Sequence, residues 1–179
     1  MLNTAFILAG GLGTRLSEIT KEKQIPKPLV RICEKPIIEW QIEELSSQGI
    51  RNFVLGIGYL GNKVREYFNN GQNRGINIFY SEEKELLGTA GALKLAARNY
   101  PKLFSESFLM CNGDTLWKID INKIWEFHKN AKREKCIATL VLVEVEDVSE
   151  YGSVVLEKNL IAEFVEKGRK GQGVINSGI

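Results

Sequence analysis

Strand-like and helix-like stretches alternate along most of this chain, and that alternation constrains its fold more than any other feature. Thr4 to Leu8 is a short apolar run that ends in glycines, which reads as a buried strand entering a loop. Pro36 to Gln48 reads as a helix. Pro36 stands at its start, Ile38, Ile42 and Leu45 share one face, and Gly49 closes it. The series continues with a strand over Asn52 to Ile57, a helix over Leu60 to Phe68 and a strand over Ile76 to Tyr80. A helix over Thr89 to Arg98 follows, with Leu93, Ala96 and Ala97 inward. After it come a strand over Phe108 to Cys111 and a helix over Asn122 to Lys132 carrying Ile124, Phe127 and Ala131. Cys136 to Val143 is strongly β-prone. Beyond it the helices stop, leaving shorter strands at Ser153 to Leu156, Ile161 to Phe164 and Val174 to Ile179.

A β-α-β-α series of this kind predicts an α/β fold, Rossmann-like, with a mixed, mainly parallel sheet and helices on both faces. Ligands of such sheets bind beyond the carboxyl ends of the strands, so the loops after Leu8, Tyr80 and Cys111 are expected in one crevice. The 179 residues suit one domain spanning 1–179, without internal repeats or linkers. The 24 basic and 22 acidic residues leave a net charge of +2, with no field suited to a polyanion, so no nucleic-acid partner is expected and phosphate recognition must be local.

Cys33, Cys111 and Cys136 lie far apart, two of them in apolar runs, and read as buried free thiols of a reducing compartment. The single histidine, His128, sits beside Phe127 on a helix away from the glycine loops, a structural position. Catalysis by a histidine triad or a histidine metal cage is therefore close to excluded. Met1 to Thr4 lack a charged leader and no apolar run reaches membrane-spanning length, so a cytoplasmic protein without a membrane partner is expected.

The loop Leu8-Ala9-Gly10-Gly11-Leu12-Gly13-Thr14-Arg15-Leu16 follows the first strand. Small residues let backbone N–H groups approach an anion or a base, and the planar fork of Arg15 suits phosphate oxygens. A dinucleotide fingerprint would need glycine where Leu16 stands, which weakens a dinucleotide-dependent oxidoreductase. A P-loop would need a Gly-Lys-Ser/Thr ending that is absent. Pro26-Lys27-Pro28-Leu29 comes next, with prolines fixing the backbone in a stiff, extended form around one lysine.

The run from Leu8 to Leu16, followed by Lys27-Pro28-Leu29 and Lys35-Pro36-Ile37, closely resembles the start of the sugar-1-phosphate nucleotidyltransferases. The resemblance implies the nucleotide-diphospho-sugar transferase type of fold. It implies that Leu8, Ala9, Gly10, Gly11, Gly13 and Thr14 bind a nucleotide, and that Arg15 and Lys27 hold its triphosphate. Glu82 to Ala92 resembles the base-recognition loop of that family, with Gly88 and Thr89 at its end. Glu82 or Glu83 could accept the N1–H and N2–H donors of guanine, and Glu82 is placed in the nucleotide set. Asn112-Gly113-Asp114-Thr115 resembles the metal-binding turn, with Asp114 as the Mg²⁺ ligand and Gly113 against the nucleotide. Tyr151-Gly152-Ser153-Val154, Val165-Glu166-Lys167-Gly168 and Asn176-Ser177-Gly178 resemble the sugar side, where Gly152, Glu166, Lys167 and Asn176 would meet the sugar phosphate.

Within the family the chain leans towards the heptose- and mannose-1-phosphate guanylyltransferases. The implied partners are a nucleoside triphosphate, GTP first, and a sugar 1-phosphate. Uridylyl-, thymidylyl- or cytidylyltransferases are alternatives, as is a catalytically silent sugar-nucleotide-binding regulator. The family continues for several dozen residues beyond the equivalent of Ile179 and normally brings a second metal-binding aspartate there. A chain ending at Ile179 would expose strand edges that invite self-association into a homo-oligomer.

Overall fold

The computed structural model describes residues 2–11, 25–133 and 135–179. They cluster into two compact units, residues 1–125 and 126–179.

The first unit is built on a four-stranded parallel sheet of β1 (Thr4–Leu8), β4 (Asn52–Ile57), β5 (Asn77–Glu82) and β6 (Leu109–Asn112), ordered β5-β4-β1-β6. A two-stranded hairpin, β2 (Arg31–Ile32) and β3 (Lys35–Pro36), leads into α1 (Ile37–Ser47). Helices α2 (Gly61–Phe68) and α3 (Gly88–Asn99) make the next two crossovers. Strands β1 and β4 are almost wholly buried, as strands covered on both faces must be.

The strand order reverses at β1. The chain steps outward from β1 to β4 to β5, then returns to place β6 on the other side of β1. Right-handed crossovers taken in opposite directions put their helices on opposite faces. Accordingly Ala92 and Ala96 of α3 pack with Phe6 and Val54, while Ile57, of the opposite parity, lies against Gly61 at the start of α2. On α1, Ile38, Ile42 and Leu45 are at most 2% exposed, confirming the face read from their spacing.

The second unit carries an antiparallel sheet of β7 (Leu142–Val145), β8 (Ser153–Glu157), β9 (Leu160–Val165) and β10 (Gly173–Asn176), ordered β7-β10-β8-β9. The unit boundary falls inside α4 (Ile121–Arg133). The mixed character expected of the fold thus takes the form of a parallel sheet and a separate antiparallel one.

Four expectations need correction. Cys136 to Val143 is not a strand. The strand begins at Leu142, opposite Asn176, and only Val141 adds backbone bonds before it, to Ser177 and Ile179, while Ile137 is left 98% exposed. Lys27 to Leu29 forms a turn of 3-10 helix instead of an extended segment. Of the cysteines only Cys111 is buried, whereas Cys33 occupies the β2–β3 turn, exposed and with φ of +58°. Phe127, expected to face inward on α4, is exposed.

Candidate nucleotide site

The four parallel strands end level with one another. Leu8 pairs with Gly56 on one side and with Asn112 on the other, and Ile57 pairs with Glu82. Ladder bonds continue past the strands, Ala9 N–H to Gly56 O at 2.8 Å and Gly113 N–H to Leu8 O at 2.8 Å. The loops after β1, β5 and β6 therefore leave the same edge, as expected. They enclose a cleft of about 320 Å³ lined by Leu8, Ala9, Gly10, Gly11, Lys27, Pro28, Glu83, Leu86, Gly88, Thr89, Ala92, Asn112, Gly113 and Asp114.

The glycines explain how the backbone gets this close. A Cβ on Gly10 would stand 2.9 Å from Glu83 Oε1 and 3.3 Å from Gly58 N. One on Gly113 would stand 2.6 Å from Leu8 O. The Gly113 contact is with rigid backbone and leaves no room for a side chain, whereas at Gly10 the Glu83 carboxylate would have to move. Among the described residues nothing lies within 4 Å of a Cβ added at Gly11, which lines the cleft. Gly88 opens α3 with φ of +68°, the left-handed region that glycine adopts freely. Leu87 caps this helix without a side-chain hydrogen bond, so among the described residues no side-chain cap meets the first N–H groups of α3 beside Gly88 and Thr89.

Two charged groups meet across the cleft. Lys27 projects from the turn held by Leu29 N–H to Pro26 O at 2.8 Å, with Pro28 buried beneath it. Its Nζ forms an ion pair with Asp114 Oδ2. Asp114 follows β6, and its other oxygen accepts from Thr115 Oγ1 at 3.3 Å. Among the described residues no three His, Cys, Asp or Glu side chains gather as a metal cage. Asp114 offers one carboxylate beside the glycine loop. That suits a hard cation such as Mg²⁺, which keeps waters and phosphate oxygens as its remaining ligands.

Of the two acidic residues left open by the sequence, the cleft takes Glu83. Its Oε2 accepts from Leu87 N–H at 3.1 Å. Glu82 does not line the cleft and pairs instead with Arg65 at 2.9 Å. Leu12, Gly13, Thr14 and Arg15 lie outside the described residues.

The four residues expected on the sugar side belong to the second unit. Ser153 pairs with Val165 on β9 and with Ile175 on β10. Carried one residue further, this register sets Gly152 opposite Glu166 on one side and Asn176 on the other. Lys167 follows, leading into Gly168 with φ of +105°. The Asn176 side chain accepts from Gly178 N–H at 2.9 Å. His128 lies 3.0 Å from Thr139 Oγ1, a structural contact as expected.

Sequence reading missed Gly58 and Gln41. A Cβ on Gly58 would lie 2.9 Å from Gly10 O, so Gly58 is what lets the glycine loop settle against β4. Its signal was available in Gly56-Ile57-Gly58, a second glycine pair at a strand end. Gln41 sits on the inner face of α1, 1% exposed, and donates to Asn112 O and Thr115 O. No local pattern marks such a long-range contact.

Comparison with known proteins agrees with this geometry. The Nucleotidyl transferase family model matches residues 4–179. D-glycero-alpha-D-manno-heptose 1-phosphate guanylyltransferase of Campylobacter jejuni is 42% identical over 176 residues, covering 98% of this chain and 73% of that protein. Its counterpart from Aneurinibacillus thermoaerophilus is 38% identical over 175 residues, covering 98% and 72%. The crystal structure of HddC from Yersinia pseudotuberculosis complexed with GMP-PN superposes with a TM-score of 0.77 at 34% identity, covering 99% of this chain and 75% of that one. A family match across nearly the full length, on a cleft built where such sheets bind ligands, makes this chain a member of the nucleotidyl transferase family.

Proposed function

We propose that the protein transfers GMP from GTP to a heptose or mannose 1-phosphate, releasing pyrophosphate. The observation that carries the reading is the convergence of the glycine loop, Lys27, Asp114 and the uncapped start of α3 on one cleft at the carboxyl ends of parallel strands. The choice of guanine is supported by the guanylyltransferase relatives and by a carboxylate, Glu83, at the cleft wall. A carboxylate accepting the N1–H and N2–H of guanine discriminates against bases that lack this pair of donors.

A sugar phosphate is an anion at neutral pH, so the nucleophile needs no general base. What the reaction needs is alignment and charge neutralisation at the α-phosphorus and the departing pyrophosphate. Lys27 exchanges the Asp114 carboxylate for phosphate oxygens, and Arg15 adds a bidentate clamp. The α3 N-terminus and the Ala9–Gly11 backbone hold the nucleotide by N–H donation. Asp114 would hold the divalent metal that nucleotidyl transferases of this family generally use, taken here as Mg²⁺, whose positive charge assists the leaving group. Gly152, Glu166, Lys167 and Asn176 of the second unit are assigned to the sugar phosphate, with residues 1–179 acting as one nucleotidyltransferase domain.

Lys27→Met, Arg15→Ala and Asp114→Asn should each lower turnover by about 10²–10³-fold. For Lys27→Met and Asp114→Asn the thermal midpoint should barely move, because an exposed ion pair contributes only about 0–1 kcal/mol. Pyrophosphate release near the wild-type rate from any of these variants, followed with GTP and a manno-configured sugar 1-phosphate, would overturn the assignment of that residue.

A further inference from the structure

The segment from Gly113 to Asp120 joins β6 to α4 and forms neither helix nor strand. Apart from Gly113 N–H, which continues the ladder to Leu8 O, its backbone groups need partners outside helix and sheet. Two of them come from one helix. Gln41 Nε2 donates to Asn112 O at 2.7 Å and to Thr115 O at 2.5 Å, bridging the turn that carries Asp114. Gln48, the residue that closes α1, donates to Ile119 O at 2.8 Å and accepts from Ile121 N–H at 2.8 Å. The bridging amide of Gln41 faces two oxygens that can only accept, so its NH₂ must point at both. Among the described residues no donor reaches its Oε1. The helix that presents this amide is itself fixed by Ile38, Ile42 and Leu45 in the core.

We propose that Gln41 is a positioning residue for the reaction: by tying both ends of the Asn112–Thr115 turn to α1, it sets where the Asp114 carboxylate stands for a divalent cation. The inference rests on the nucleotidyl transfer proposed above. Gln41 is not among the residues that line the cleft. It acts through the turn, much as outer partners orient the ligands of a metal. Gln48 anchors the far end of the same segment and has no such role, which makes it the internal control.

The test compares wild type with Gln41→Leu, Gln41→Met and Gln48→Leu, using two readouts. One is amide hydrogen exchange resolved over Asn112–Thr115 and over Ile119–Ile121. The other is pyrophosphate release as Mg²⁺ is titrated at saturating GTP and sugar 1-phosphate. Both Gln41 variants should exchange at Asn112–Thr115 at least about tenfold faster. Their half-saturating Mg²⁺ concentration should rise about 10- to 100-fold, with most of the turnover recovered at high Mg²⁺. Gln48→Leu should loosen only Ile119–Ile121 and leave the Mg²⁺ dependence as it was. Unchanged exchange at the turn, an unmoved Mg²⁺ dependence, an equal effect from Gln48→Leu, or failure of both Gln41 variants to fold would each overturn the proposal. A wild-type protein that releases no pyrophosphate would count against the proposed reaction, and hydrogen exchange would still decide the role of Gln41.

Discussion

Gly10 and Gly58 approach each other so closely that neither can carry a side chain without moving the other. A methyl on Gly58 would press on the carbonyl oxygen of Gly10, a rigid backbone atom that cannot swing aside. Gly58→Ala should therefore push the glycine loop off its seat and raise the KM for GTP about tenfold, equivalent to about 1.4 kcal/mol of lost binding. Gly11→Ala makes the contrast, because among the described residues nothing lies within 4 Å of its added methyl. That variant should keep the wild-type thermal midpoint while losing affinity for the nucleotide that fills the space. Calorimetry with GTP, read beside thermal unfolding, separates the two. Tight GTP binding by Gly58→Ala would mean that the loop is placed by something other than this contact. The loop glycines were legible because small residues after a buried strand point to close approach. Gly58 offered the same small-residue signal in Gly56-Ile57-Gly58, but which atom it makes room for lies in a residue 48 positions earlier in the chain.

At the scale of elements, α1 and α2 are joined through a charged cluster. Glu39 on α1 is 5% exposed, yet it takes hydrogen bonds from Tyr67 Oη at 2.6 Å and from Arg74. Burial by itself pushes the Glu39 carboxyl up. The hydrogen bonds from Tyr67 and Arg74, with the charges of Arg74 and Lys35, outweigh that and hold it below its ordinary 4.5. A carboxyl depressed in the folded state stabilises fully above its unfolded value, and the contribution is lost as pH falls through the folded one. Glu39→Gln should cost about 1–3 kcal/mol near neutral pH, and the gap from wild type should close as pH drops below 4.5. Urea unfolding of both proteins across that range checks this, and a gap that stays constant with pH would contradict it. Sequence reading located α1 to within a residue at each end, because its apolar stripe and bounding Pro36 and Gly49 are local signals. It misplaced β7, because Cys136 to Leu140 carry strand-forming residues but have no strand opposite them, and pairing is not a local property.

Across the whole molecule the division of labour follows topology. The parallel sheet reverses its strand order at β1 and so opens a crevice, whereas the antiparallel sheet pairs Ser153 with Val165 and Ile175, next to Gly152, Glu166 and Asn176. The first pattern was legible because parallel strands and their crossover helices leave an alternating signature. The segregation of the last four strands into their own sheet was not, since short strands can join either partner. Among the described residues no helix is long and apolar enough to cross a membrane. The central claim is the reaction, and its most direct measurement is pyrophosphate release with Mg²⁺, each nucleoside triphosphate in turn and a panel of sugar 1-phosphates. The account predicts release with GTP and a manno-configured heptose or mannose 1-phosphate, well above every other pair. Release with a different nucleotide, or from no pair at all while GTP still binds, would contradict it.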